Sequence, residues 1–435
     1  MPRVLALLVV LCLGLATSVA SAQERAAPDY DGRGDEPATA GDALVWVPRV
    51  VLSPLYLVSE FVVRRPLGWL VTTAELNDWP SLLIDFFTFG EEQKAGVVPT
   101  ALIDFGFRPS VGVYAFGDDF LFDDNDLRIH AATWGSDWLT LTVRNRTEVR
   151  DAAAWLSLRG YGRRRTDWLF YGIGPTASDD DETRFQMTEV GGEMVFEASV
   201  WHASSVIWWA GAKTVDFADR ACCGEPPILQ VHDEPPGWGG YTAVYQELEV
   251  ALDTRRERPA SGTVIRLEVE GRHSFDARSP VSSRWVKYGG TLGLYWDPSG
   301  LNRVLGLSLS AAFADPLGSE EVPFTELVEL GGTELMRGFV AGRLLGRSAA
   351  VATFEYRWPV WIWLDGTLHA AVGNVFGAHL AGFDPDLLRL SFGAGFRTVQ
   401  SRDHSFDVLL AFGSEPFDRF SITSLRILLG TTRGF

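Results

Sequence analysis

From about residue 97 to its end, the chain keeps returning to one pattern: roughly ten residues of alternating apolar and polar side chains, then a break. Ile265, Leu267 and Val269 oppose Arg266, Glu268 and Glu270, and Leu139, Leu141 and Val143 oppose Thr140, Thr142 and Arg144. Ile362, Leu364, Leu368, Ala370 and Val372 likewise oppose Trp363, Asp365, Thr367, His369 and Ala371. A period of two belongs to strands with unlike faces. Two stacked sheets share that period, but their inner face does not carry this many paired charges. An apolar face against lipid and a charged face against a wet lumen suit a transmembrane β-barrel. The 16 Trp, 27 Phe, 10 Tyr and 44 Gly fit the aromatic girdles and bends of such a barrel. No stretch beyond the N-terminus is apolar for long enough to cross a bilayer as a helix.

Strand starts are read near Phe107, Asp126, Asp137, Ala153, Asp167, Arg184, Trp201, Tyr241, Thr263, Arg284, Arg303, Ala349, Trp361, Leu388, Ser405 and Ser421. The fold class is therefore all-β, an antiparallel transmembrane barrel of about 16 strands. Residues 97–107 also alternate, but Pro99 and Pro109 would interrupt a ladder, so they are read as the approach to the first strand. Connection lengths give a separate test, because short turns gather at the periplasmic end and longer loops outside. The turns are placed at Gly135-Ser136, 163–166, 297–302, Pro359-Val360 and 399–404. The outer loops are placed at 116–125, 175–183, 216–240, 315–348 and 377–387. A turn at 254–261 is long for this scheme, and an outer loop at 147–152 is short. Both termini then face the periplasm, and the terminal Phe435 resembles the assembly signal of outer-membrane barrels.

Ahead of the barrel, Arg3 precedes an apolar run over 4–16 and Ala20-Ser21-Ala22, which reads as a signal peptide over 1–22. Residues 23–43 are Asp, Glu, Gly, Ala and Pro without apolar period, as in a disordered periplasmic tail. Residues 44–96 form a helical periplasmic or interfacial segment, densely apolar but broken by Pro48, Pro54 and Pro66. Within it, 54–65 fits about three helical turns, apolar nearly all round, which must be buried or lie on a membrane. The formal charge of -18 speaks against a nucleic-acid surface. Of three cysteines, Cys12 leaves with the signal, so Cys222 and Cys223 pair with each other or with another chain. A metal site with His232 lacks ligand spacing. The acidic run 179–182 reads as a solvated loop tip, with divalent cations bridging lipopolysaccharide as the lesser reading. No nucleophile elbow, metalloprotease helix, phosphate loop or Cys/His cluster occurs, so neither an enzyme nor a cofactor or metal is expected.

The most specific stretch is 330–360, LGGTELMRGFVAGRLLGRSAAVATFEYRWPV. Ala352, Phe354, Tyr356 and Trp358 share one face of a strand, and Val351, Thr353, Glu355 and Arg357 the other. The preceding segment holds Leu335, Met336, Phe339, Val340, Leu344 and Leu345, too apolar for a solvated tip. If it folds back into the lumen, Arg337 needs a carboxylate, and Glu355 is the nearest inward one. Met336-Arg337-Gly338-Phe339 followed by Glu355-Tyr356-Arg357 and Pro359 resembles the sixth extracellular loop and twelfth strand of the BamA/TamA superfamily, the bacterial surface antigen family.

The resemblance implies an inward-folded sixth loop anchored by Arg337, Gly338, Phe339, Glu355 and Arg357. It also implies a function in inserting proteins into, or moving them across, a Gram-negative outer membrane, with outer-membrane lipid and unfolded barrel clients as partners. Two departures stand out. Residues 23–96 lack the strand–helix alternation of POTRA domains, so the chain reads as a POTRA-less member. The family's thirteenth strand offers an Asp two residues before a Gly, where this chain has Ala371 before Gly373; Asp365 or His369 on that face could substitute. Pro109, Gly112 and Gly117 mark either a weak seam or ordinary bends. The alternative function is a structural, binding or passive pore-forming barrel without insertase activity.

Overall fold

The computed structural model describes residues 61, 65–76, 86–149, 153–254, 264–297, 302–333, 335–361, 364–398 and 406–431. The signal peptide, the tail over 23–43 and, apart from Phe61 and Arg65, the helix expected over 54–65 lie outside them. A helix, α1, runs Arg65–Leu76, with Pro66 in its first turn where a missing N–H costs no hydrogen bond.

Sixteen barrel strands follow, preceded by a two-residue strand, Thr88–Phe89, that pairs with the start of the first. They are β1 Ala95–Asp104, β2 Ser110–Gly117, β3 Asn125–Thr133, β4 Leu139–Val149, β5 Ala154–Phe170, β6 Thr183–Trp201, β7 Ser204–Ala218 and β8 Tyr241–Asp253. The second half is β9 Val264–Asp276, β10 Arg284–Trp296, β11 Val304–Pro316, β12 Ser348–Trp361, β13 Leu364–Phe376, β14 Arg389–Thr398, β15 Phe406–Ser414 and β16 Ile422–Thr431. Each pairs antiparallel with the next, and β16 returns to β1, closing the barrel. The start of β1 and the end of β16 lie at one end, with the connections that follow even-numbered strands. The long connections 171–182, 219–240, 317–347 and 377–388 lie at the other, the loop end.

Two strand assignments differ from the sequence reading, and they cancel in the count. Residues 97–107, read as an approach, fall largely in a full strand, β1 Ala95–Asp104, paired with β2 from Ala95 to Leu102. Pro99 is tolerated because residues 97–101 of β1 are an edge: β16 pairs only with Leu102, Ile103 and Asp104, and Thr88–Phe89 only with Ala95 and Gly96. Conversely, the strands expected at Ala153 and Asp167 are one strand, and 163–166 is not a turn. Its polar run stays in the ladder through an irregularity between Arg165 and Trp168. The missed first strand also reverses three early connections. Gly135-Ser136 lies at the loop end, whereas 118–124 and 150–153 lie at the turn end.

The lumen has two halves. Toward the turn end, inward positions are charged: Arg159 meets Glu193 at 2.9 Å, Arg266 meets Glu268 at 2.8 Å, and Arg272 pairs with Glu247. Toward the loop end, the inward residues Phe170, Phe185, Val215, Tyr241 and Trp285 enclose Phe324, Leu330, Met336, Phe339 and Leu344 in one buried apolar cluster. Only half of the barrel is wet, because the inward loop supplies its own hydrophobic core to the rest. At the loop end Cys222 and Cys223 form a disulfide with each other.

The face assignment is testable on β8. Leu248 points to lipid, while Glu249 points inward, directly opposite Glu270. Leu248→Arg should lower the free energy of folding into lipid vesicles by about 2–4 kcal/mol. Glu249→Arg should not lower it, since it removes a like-charge pair; urea titration of vesicle-inserted protein compares the two.

Candidate functional site at the barrel seam

The Arg-Gly-Phe triplet touches the wall at three points. Arg337 Nη2 lies 3.3 Å from Glu355 Oε2, and Arg357 Nε donates to the other oxygen of that carboxylate at 2.8 Å. Gly338 lies so close to β15 that a Cβ there would stand 1.9 Å from the Phe412 carbonyl oxygen. Its N–H donates to Ser391 Oγ on β14 at 2.8 Å, and its carbonyl accepts from Ser424 Oγ on β16 at 2.7 Å. No other residue fits without moving the loop off the wall. Phe339 is fully buried, its ring lying over Gly413. Glu355 thus serves two arginines, one from the loop and one from its own strand.

The two substitute partners fall differently. His369 lies directly opposite Glu355 in the β12–β13 register and is buried. Asp365 is opposite Pro359 on one side and Arg397 on the other, nearer the turn end.

Sequence reasoning missed the more deeply buried contacts. Arg426 on β16 reaches across the seam to Asp104 on β1, Nε to Oδ1 at 3.0 Å and Nη2 to Oδ2 at 2.7 Å. Its remaining nitrogen, Nη1, donates to the loop carbonyls of Gly332 and Arg337, the latter at 3.5 Å. One buried guanidinium therefore holds the first strand, the last strand and the loop together. The signal was present: Arg426 is the one charge in the apolar run 425–430, and Asp104 the one charge in 95–103 extended by a residue.

A second hub lies nearer the loop end. Glu415, between β15 and β16, accepts from Arg343 Nη2 and Arg389 Nη1, both at 3.1 Å. The two arginines also donate to the Ala177 carbonyl at 3.1 and 2.6 Å, and Arg343 lies 4.5 Å above the Tyr171 ring. On the far wall, Glu326 of the loop meets Lys213 Nζ at 2.6 Å and accepts from the Tyr241 hydroxyl at 2.8 Å. Burial alone would raise the Glu326 carboxyl, but Lys213, Lys287 and that hydroxyl hold it down at about 2. This tie persists at neutral pH and is lost only as pH falls through the strongly acidic range.

Among the described residues, the seam of β1 and β16 is the shortest-paired junction between neighbouring barrel strands. Three residue pairs join them, Asp104–Leu428, Ile103–Leu429 and Leu102–Gly430, against eight between β1 and β2. Gly430, with φ +142°, turns the end of β16 where a Cβ would stand 2.4 Å from the Ala101 carbonyl oxygen.

These features define a class: a closed outer-membrane β-barrel whose largest loop is folded inward against the seam. Among solved structures, the chain is similar to BamA from Haemophilus ducreyi lacking POTRA domains 1–3, with a TM-score of 0.54 and 13% identity over 78% of this chain and 70% of that one. It is also similar to CdiB from Escherichia coli, with a TM-score of 0.50 and 10% identity over 77% of this chain and 62% of that one. CdiB from Acinetobacter baumannii gives a TM-score of 0.49 and 13% identity over 78% and 60%. The chain thus spans less than two thirds of either CdiB. At these identities the likeness concerns the fold. No family model matches the sequence, and no curated protein does.

Arg337→Ala leaves Glu355 its second partner, whereas Glu355→Ala strips two lumen arginines of their carboxylate. Glu355→Ala should therefore cost more, within the roughly 3–5 kcal/mol of a broken buried pair. The temperature at which the folded barrel is lost on a semi-native gel gives the order.

Proposed function

We propose that the chain acts in outer-membrane protein assembly or translocation, parting β1 from β16 and offering the freed edge of β1 to a client strand. The turn end, with the start of β1 and the end of β16, faces the periplasm in this reading, and the long loops face outward. The observation that supports it is the seam: three residue pairs, clasped by the buried Arg426–Asp104 pair. Backbone hydrogen bonds contribute about 0.5–1.5 kcal/mol net apiece. Removing one partner of a buried ion pair costs about 3–5 kcal/mol. Opening the seam must therefore break both the short ladder and the ion pair, which are of similar size. An edge facing acyl chains has no water to satisfy it, so an open state persists only when another strand takes the vacated place. Main-chain pairing to that edge would supply affinity that depends little on client sequence.

The rival reading is a structural or binding barrel in which the loop serves as a plug. Ala371 favours it, because that position is where the resemblance leads one to expect a second carboxylate for the loop arginine. The buried cluster across the loop end speaks against a steady pore.

Ile103 and Leu429 face each other across the seam. With cysteines at both positions in protein reconstituted in liposomes, oxidation should abolish acceleration of the folding of unfolded barrel clients, and reductant should restore it. Acceleration that persists with the seam cross-linked would defeat the proposal. So would its absence in the unmodified protein, which would leave the plug reading.

A further inference from the structure

The turn between β2 and β3 carries three consecutive large apolar residues, Phe120, Leu121 and Phe122, exposed by 54%, 70% and 54%. These values match those of mid-strand residues that face lipid, such as Leu158 and Leu309, both 56%. A run of this kind on a solvated turn would be an isolated apolar patch with no fold-related reason to exist.

Its direction follows from the register. Phe89, Ala95, Gly117 and Leu127 are successive cross-strand partners and so share one face, the outer one. The space over Gly117 on that face is taken by Phe120, whose ring carbon would stand 3.5 Å from a Cβ there. Phe89, 54% exposed, begins the same row. The apolar belt of β1 to β3 therefore continues without interruption onto the turn.

Polar side chains on the same outer rim are tied to one another. Asn125, fully buried, donates to Asn145 Oδ1 at 2.9 Å and Thr147 Oγ1 at 2.8 Å, and Asn145 Nδ2 donates back at 3.1 Å. Such mutual satisfaction is what a surface facing hydrocarbon demands and a wet one does not. The turn is also braced by its own hydrogen bonds. Phe120 N donates to the Asn125 carbonyl at 2.7 Å, Asn125 N to the Phe122 carbonyl at 3.2 Å, and Asp124 N to Asp119 Oδ1 at 2.8 Å. Of the flanking acids, Asp118 is held by Arg128 at 2.7 Å and Asp119 by Lys94 at 2.9 Å, while Asp123 and Asp124 are exposed.

We propose that Phe120–Phe122, with Phe89, is a wedge that enters the phospholipid leaflet at the turn end of the barrel, beside the seam. The acidic base of the turn stays at the headgroup level, and the three apolar side chains cross into the acyl region. The occupant is a lipid surface, on the ground that the patch is continuous with the lipid-facing belt. The inference holds whether or not the seam opens.

Leu121→Cys carrying an environment-sensitive nitrobenzoxadiazole dye, in phosphatidylcholine vesicles with and without brominated acyl chains, tests it. An amphipathic element at this depth sits about 5–10 Å into the headgroup–acyl boundary. The emission should therefore shift to the blue, brominated chains should quench it, and aqueous iodide should not. The same dye on Pro280→Cys, in a loop-end connection, should behave as in water. Phe122→Cys serves as a second reporter, so a variant that fails to fold does not decide the matter. A dye at 121 and 122 that emits as in water and is quenched by iodide overturns the proposal, and would mean that the tip is free to meet a soluble protein.

Discussion

A chain that meets acyl chains must satisfy every backbone N–H and C=O by itself, so the whole structure depends on β16 finding β1. The barrel meets that requirement at the seam by the narrowest margin, three residue pairs, and makes up the difference with side chains. Arg426 and Asp104 stand 322 positions apart and carry the closure in one buried, two-pronged ion pair. Closure is also what keeps the lumen intact, and the lumen is what gives the inward loop its place. The dependence runs both ways, since two loop carbonyls complete the shell of the arginine that spans the seam.

The loop is more than a peg in a hole. Its apolar residues make the loop-end half of the barrel a packed core, which explains why inward positions there are Phe, Tyr and Trp where charged residues were expected. Ion pairs at three places help to fix its attitude: Glu355 on β12, Glu415 beside β16, and Lys213 with Tyr241 on β7 and β8. They stand on well-separated walls, so moving the loop as a body must break more than one at once. A loop held so firmly is a poor candidate for a freely swinging lid and a good one for a strut.

What the sequence revealed depended on how local the signal was. Period two gave the strands, and their faces followed, because every alternating residue reports on its own environment. The motif gave Arg337 and Glu355 because they lie close together in the chain and belong to a stretch with two patterned parts. Pro99 misled, since a proline speaks against a ladder unless the strand is an edge, and whether β1 is an edge is a property of the closed barrel. The arginine run 163–165 misled in the opposite sense. Its polarity suggested a turn, but Arg163 pairs inward with Glu189 and Arg165 lies among the rings of Phe107, Trp138 and Trp168 beside Asp167. Asp104 was hidden by the first of these errors, for a residue read as an approach is given no face.

That loss also changes how the triplet is understood. From sequence, Arg337 is the striking residue and its guanidinium the natural anchor. In the structure its backbone matters as much: the carbonyls of Gly332 and Arg337 face Arg426, and Gly338 is wedged between β14, β15 and β16 by contacts no side chain could replace. Gly338 is thus a requirement of close approach, and the Arg337 side chain ties the loop to β12 through Glu355. Because the backbone grip falls on β16 and the side-chain grip on β12, the loop spans the wall that runs up to the seam and stops there. Across the seam lies β1, joined to the last strand by the buried Arg426–Asp104 pair and by Leu102 packed against the cluster of Leu409, Ala411 and Leu428. A load applied to β1 would therefore reach the loop through that guanidinium and, beyond the end of the strand, through the cluster against which Phe107 and Val340 both pack.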